Sequence, residues 1–404
     1  MKFVFYSPHT DLWFRNPAKG ILRNRIYPNK YGQLLDSFLQ SNHDIYFSAK
    51  LSAPSGFFGL LLSLADCADL LLWCIVNKIS LRRVGFVFSR KALARKDALF
   101  VMHYGNLTHE SETRARHAEV FAEFLSSLDI YKIVHLTHYL YWPSIGAHNL
   151  ANSKPDLLVA ENNLERNSAF FRRHFDKIRC EFYGLPYSPK TKFINRTAFA
   201  ERKNKLVVTG SITYKLRDPQ FISFFGTDEL QPLRRKLFEK ASHYADQMDC
   251  LVSDLNATRQ AAMPLGPVDR IKERLAAYFG KMNQKDYYKQ DIVKIYNGYT
   301  MFAVPEEKCD LPAIGFVEGM ACGAAYIGLD DPMYRDIGMV PGVHYVAYDG
   351  SVEDLMHKVD KYQRNRAELE KIAAAGQRLV SQHLASSVIY PKFIAKIAQS
   401  IQSK

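Results

Sequence analysis

The chain has no Cys-x-x-Cys pair. Its six cysteines are scattered over 404 residues, Cys67 and Cys74 in a helical run, Cys309 and Cys322 in apolar surroundings. That usage suits a reducing cytoplasm and gives neither a disulfide framework nor a zinc site. The sequence holds no Gly-x-x-x-x-Gly-Lys loop for phosphates and no His-Glu-x-x-His helix for a metal. Asp330 and Asp331 are adjacent, which is not the Asp-x-Asp spacing that holds a divalent ion against a diphosphate, so no metal is expected. No long repeat or low-complexity block interrupts the chain. The opening Met1-Lys2-Phe3-Val4-Phe5-Tyr6-Ser7-Pro8 is broken too soon for a signal peptide and reads as a first strand. Long apolar runs are scarce. One stretch, Phe57 to Ile79, approaches bilayer-spanning length, but Asp66 and Asp69 near its middle would be costly in hydrocarbon. It reads as a buried helix or, with Arg82 and Arg83 after it, as one lying on a membrane surface.

Positive charge is plentiful. The net charge of +13 favours anionic partners. Nucleotide-sugar phosphates fit, and so does an anionic membrane surface carrying a lipid-linked acceptor. Nucleic acid fits least, because Lys and Arg are spread along the whole chain rather than gathered in one patch. The length points to two domains, and an apolar fraction of 47% is ordinary for a soluble globular protein. Apolar strand patterns at 2–7, 44–48, 99–103, 131–137 and 156–160 alternate with helical patterns at 31–40 and 113–128. That order makes an α/β chain of parallel βαβ units. The segment from Pro186 to Lys205 is rich in Pro, Lys, Asn and Arg and poor in aliphatics, as a linker would be. Lys205 to Thr209 then restarts the strand pattern.

In open α/β sheets ligands bind beyond the carboxyl ends of the strands. In the first half those ends carry His9, Asp11, His103, His138 and Glu161. Each is a candidate for acceptor contact or base chemistry, and each singly is also an ordinary turn or cap residue. In the second half the restarted strand runs into Gly210-Ser211, where a phosphate can approach the backbone. Lys215 and Arg217 follow closely, and Asp228 ends the next apolar run. Arg234, Arg235 and Lys236 open a charged helix that reads as a solvated face.

The most informative stretch runs from Asp310 to Gly323. Two acids, Asp310 and Glu318, stand eight positions apart around a turn and a small-residue helix start at Gly315-Phe316-Val317. The amides of such a start face one spot and attract an anion. Carboxylates beside a bound phosphate are suited to holding hydroxyls, and a phosphate among hydroxyls describes a nucleotide sugar. A cap and a solvated face are the plainer alternative for the two acids alone.

This stretch, with Gly319-Met-Ala-Cys-Gly323, the small apolar strand after it, Gly342-Val-His-Tyr-Val-Ala-Tyr348 and the helical tail to Tyr390, resembles the donor site of retaining GT-B glycosyltransferases. It departs from the family at Asp310, where Glu is usual. The resemblance implies two Rossmann-like domains facing each other across a cleft: an acceptor domain over 1–195 and a donor domain over 196–385. It implies a last helix, 386–404, crossing back to the first domain. It implies that Asp310 and the adjacent amides hold the donor sugar, that Glu318 accepts from the ribose, and that a cationic pair such as Lys215 and Arg217 neutralises the leaving phosphate. Glu161, His9 or His138 would then position or deprotonate the acceptor hydroxyl. Asp228 would serve as a nucleophile or as an electrostatic partner of the sugar cation. The expected activity is metal-independent, cofactor-free transfer to a saccharide or lipid-linked acceptor in bacterial lipopolysaccharide, O-antigen or capsule synthesis, in the cytoplasm or at the inner membrane face. Kdo transfer from a CMP donor, a nucleotide-sugar 2-epimerase of the same fold, and a non-catalytic polyanion- or membrane-binding protein are the alternatives.

Overall fold

The computed structural model describes residues 1–6, 33–41, 43–48, 71, 74–75, 79–87, 98–108, 112–136, 139–140, 142–212, 215–254 and 290–403. The candidates His9, Asp11 and His138 and most of the apolar stretch at 57–79 lie outside them. The chain divides into two compact units. One comprises Met1–Leu185, Asp218–Phe224 and Tyr390–Lys404, and the other Pro186–Arg217 and Phe225–Ile389.

The first unit is built on β1 (Lys2–Tyr6), β2 (Asp44–Ser48), β3 (Val84–Val87), β4 (Ala98–His103), β5 (Tyr131–His135), β6 (Leu157–Ala160) and β7 (Glu181–Gly184). All neighbouring strands are parallel, in the order β3-β2-β1-β4-β5-β6-β7. Every residue of β4 and of β6 is buried, as expected of central strands in a parallel sheet. The chain winds outward from β1 in one direction and from β4 in the other, so the order reverses between β1 and β4. That reversal opens a crevice at the carboxyl ends of the two strands.

Two segments distant in sequence complete this unit. Helix Ser386–Gln402 brings the Phe393 ring to 5.8 Å from Phe38 and 5.2 Å from Tyr183. Helix Pro219–Phe225 buries Phe221, and the Phe224 ring packs edge-on against Phe170 at 5.2 Å. The buried Asp218 caps that helix through the amide of Gln220 and accepts a 2.7 Å hydrogen bond from the Ser144 hydroxyl.

The second unit has β8 (Lys203–Ile212), β9 (Met248–Asp254), β10 (Tyr299–Ala303), β11 (Ala325–Leu329) and β12 (Val346–Tyr348). They form a parallel sheet in the order β12-β11-β10-β8-β9, with the reversal between β8 and β10. Helices Val352–Arg364 and Arg366–His383 cover it, Leu355, Val359, Leu369 and Ile372 sharing a core with Leu206, Val208 and Ile327. Helix Gly315–Ala321 lies close on β10 because it presents glycine where contact is tightest. A Cβ on Gly319 would stand 2.3 Å from the Phe302 ring. Among the described residues no helix is long and apolar enough to cross a membrane.

Candidate functional site

The reversal between β8 and β10 gathers several groups that the sequence separates widely. β8 runs through Thr209, Gly210 and Ser211 at its carboxyl end. Gly210 has φ 138°, which a side chain rarely adopts, and a Cβ there would meet Nε of Arg234 at 3.1 Å. Arg234 rises from helix Pro232–Glu239 and is only 5% exposed. Its Nε donates to Pro305 O (2.8 Å), and its Nη1 donates to Ser211 O (3.1 Å) and pairs with Glu307 Oε1 (3.1 Å). One guanidinium therefore stitches the end of β8 to the loop leaving β10.

Tyr296, on helix Ile292–Gly298, fills the floor. Its hydroxyl lies 3.2 Å from Thr209 Oγ1. Burial, and then the nearby charge of Glu318, push its pKa up, with Arg234 opposing. The same hydroxyl stands under Gly315, the first residue of helix Gly315–Ala321. That helix starts where the sequence places it. Glu318 lies in its first turn and is only 8% exposed. Phe316 is fully buried against Tyr326 and Tyr334, and its amide closes the turn on Ala313 O (3.0 Å). Val317 is fully buried as well. Asp310 is half-buried in the preceding turn with φ 53°, a left-handed conformation that Asp tolerates better than Glu.

Beneath the turn lies Glu306, buried among tyrosines. The hydroxyls of Tyr326 and Tyr334 stand 2.8 and 2.6 Å from its Oε1 and 2.6 Å from each other, three oxygens sharing two hydrogens. Leu329 N–H donates to the same oxygen (3.1 Å) and Tyr348 to Oε2 (3.1 Å). Burial and the adjacent carboxylate hold all three tyrosines far above the ordinary phenol range.

Lys215 and Asp228, expected in separate roles, meet each other. They form a 3.2 Å ion pair, both half-exposed, and Leu216 N–H donates to Asp228 O (2.7 Å). Arg217 is exposed.

In the first unit three buried side chains stand at the carboxyl ends of β4, β5 and β6. His135 Nε2 lies 3.3 Å from Glu161 Oε1, and the His103 and His135 rings meet edge to face at 5.8 Å. His103 Nδ1 accepts from Gly105 N–H at 2.9 Å, so that nitrogen carries no proton. A carboxylate beside an imidazole is a pair able to accept and pass on a hydroxyl proton. Among the described residues no three His, Cys, Asp or Glu side chains are grouped to hold a metal ion.

Sequence reasoning missed Arg234, Tyr296, His135 and Glu306. Arg234 carried a signal. Leu230, Arg234 and Leu237 recur at i, i+4 and i+7, so the arginine sits in an apolar stripe and faces inward, not on the solvated face assigned to it. Glu306 carried none, since its partners come from three other elements.

No model of a known protein family matches the chain, and no curated protein resembles it in sequence. Solved structures do resemble it. HepE from Anabaena, solved with UDP, is 11% identical with a TM-score of 0.53, over 98% of this chain and 99% of its own. Sucrose-phosphate synthase from Thermosynechococcus elongatus is 12% identical with a TM-score of 0.56, over the full length of both. A glycosyltransferase from Rickettsia africae is 12% identical with a TM-score of 0.51, over 100% of this chain and 99% of its own. At such identities the likeness is one of fold. The chain has the two-unit α/β fold of the GT-B glycosyltransferases.

Proposed function

We propose that this protein transfers a sugar from a nucleotide-activated donor to a saccharide or lipid-linked acceptor. The observation that carries the reading is the convergence of Gly210, Tyr296, Gly315 and Glu318 where β8 and β10 part, the strand-order reversal at which α/β sheets bind ligands. A uracil nucleotide is the first choice of donor, since HepE is solved with UDP and with UDP-glucose.

As the donor bond breaks, the anomeric carbon becomes cation-like and negative charge gathers on the phosphate. The amides of Gly315 and Val317, on either side of the one that closes the turn, stabilise that charge, with Lys215 or Arg217 adding to them. Lys215 is held ready by Asp228. Glu318 accepts from the ribose hydroxyls, and Asp310 orients the sugar. On the first unit, Glu161 acting through His135 accepts the acceptor's hydroxyl proton. Retention of the anomeric configuration, independence of metal, and a role in bacterial surface polysaccharide synthesis at the cytoplasmic membrane face belong to this reading.

Thermal unfolding in UDP, GDP, CMP and TDP tests it. A nucleotide at a hundred times its dissociation constant adds about 2.7 kcal/mol of stability. The expected result is a clear rise with one nucleotide, UDP first, whereas a rise with CMP alone points to Kdo transfer. No rise with any of the four overturns the reading. Incubation with nucleotide sugar alone completes the test, because accumulation of its 2-epimer would replace transfer by epimerisation.

A further inference from the structure

We propose that Arg202 is a positioning residue of the donor site, fixing helices Ile292–Gly298 and Gly315–Ala321 to each other from the end opposite the nucleotide. This rests on the donor-site reading above and adds to it a residue that touches no ligand. The first helix leads into β10 and the second leads from β10 to the parallel β11, so both run counter to the strands and finish on the same side of the sheet. Arg202 stands on that side, directly before β8. It is only 3% exposed, and among the described residues no carboxylate pairs with it. Its partners are carbonyls instead. Nη2 donates to Cys322 O (2.7 Å), Asn195 Oδ1 (2.7 Å) and Thr197 O (3.0 Å). Nη1 donates to Tyr296 O (3.2 Å) and Tyr299 O (3.5 Å), and Nε to Thr197 O (3.2 Å).

A helix ends in carbonyls that its own amides do not reach, and these carry partial negative charge. Here two such ends lie side by side and would repel each other without a cation between them. A guanidinium has five N–H groups in one plane, so a single side chain bonds both ends at once, which the compact ammonium of lysine does less well. The chain is shaped to admit it. Gly323, just past the second helix, has φ 77°, and a Cβ there would meet Asn195 Nδ2 at 2.6 Å and Arg202 Nη2 at 3.2 Å. The effect reaches the site through Tyr296. Arg202 holds its backbone carbonyl, while its hydroxyl lies against Thr209 and beneath Gly315, where the other helix begins. Glu318 follows on that helix. Without Arg202 the two helices slip past each other, and Tyr296, Gly315 and Glu318 lose their common register.

A residue that only stabilises the fold and one that positions the site differ in what they change well below the unfolding transition. Titration calorimetry of the full-length protein with UDP in that range compares wild type, Arg202→Met, Arg202→Lys and Leu355→Ala, with thermal unfolding recorded for each. Leu355→Ala cuts into the core under helix Val352–Arg364, away from both site helices, and is expected to lower the unfolding temperature and leave UDP affinity unchanged. Arg202→Met is expected to weaken UDP binding about tenfold, the size of one charged hydrogen bond lost at Glu318. Arg202→Lys keeps the charge without the planar fork, is expected to weaken UDP binding about threefold, and carries the test if Arg202→Met does not fold. If the Arg202 variants bind UDP within about twofold of wild type, or no more weakly than Leu355→Ala, Arg202 serves stability alone and the proposal fails while the donor site stands. If another nucleotide of the panel is the one that binds, it replaces UDP. If wild type binds none of them, the donor-site reading fails first and takes this proposal with it.

Discussion

Gly315 stands directly over the hydroxyl of Tyr296: a Cβ added to the glycine would lie 2.9 Å from that oxygen and 2.6 Å from Cγ2 of Val304. Neither neighbour can retreat, since Tyr296 is fully buried and Val304 follows β10 directly. Gly315→Ala therefore shifts the start of helix Gly315–Ala321. Overpacking of this kind costs about 1–3 kcal/mol. Urea unfolding should show that loss, and the apparent affinity for the nucleotide donor should fall about tenfold, because the amides at the mouth move with the helix.

Glu318 sits one turn further on and is nearly closed off from solvent. Glu318→Gln keeps its shape and removes its charge, and Glu318→Ala removes both. Both are expected to raise the donor KM and lower turnover, the alanine more strongly, by a factor of about ten to a hundred, the range of one lost charged hydrogen bond. Normal steady-state kinetics in Glu318→Ala would mean that the donor lies elsewhere.

The tyrosine cage around Glu306 is a stability element that packs against the helix mouth. Its carboxylate ties Tyr326, Tyr334, Tyr348 and the amide of Leu329 together, and Phe316 at the helix mouth packs on two of those rings. Glu306→Ala leaves buried hydroxyls without their acceptor, and each donor so stranded is expected to cost about 1–3 kcal/mol. Tyr348→Phe removes one hydrogen bond and should cost about 1 kcal/mol. Chemical denaturation of the two variants checks the ratio. Equal losses would show that the cage does not act as a unit centred on Glu306.

Acid should loosen the final helix. Glu181, on β7, accepts from Ser400 and pairs with Lys396 at 3.0 Å, and these contacts hold its carboxyl below the usual value of 4.5. A lowered folded pKa means stability that is complete above 4.5 and lost as pH falls through the folded value. The group is 43% exposed, so screening limits the effect to about 0.5 kcal/mol or less. Wild type and Ser400→Ala, unfolded in urea at neutral pH and again well below the glutamate pKa, should differ in the first condition and converge in the second.

Much of this architecture is legible in the amino-acid order. Buried parallel strands such as Ala98–His103 and Leu157–Ala160 are short apolar runs, and the start of helix Gly315–Ala321 lies where its glycines place it. The edge strands are harder. Val84–Val87 and Glu181–Gly184 are mostly half-exposed, so neither alternation nor an unbroken apolar run marks them. The site is legible where it is contiguous and silent where it is assembled. Asp310 and Glu318 belong to one stretch, and the left-handed backbone at Asp310 gives a local reason for aspartate there. Arg234 lies far from that stretch in the chain, and Tyr296 precedes it on the other side of β10. What joins them to it is the parallel pairing of β8 with β10, which no local pattern encodes.

The ring of Phe393, set between Phe38 and Tyr183, has a consequence for how the molecule is made. A ribosome reads through every residue of the second unit before Phe393 exists. Until then the pocket between Phe38 and Tyr183 has no occupant, and the seat of Phe221 on the first unit waits until translation has passed the linker. The first unit to be synthesised is therefore the last to be finished. Its nascent form carries uncovered aromatic surface for most of the time the chain is being made.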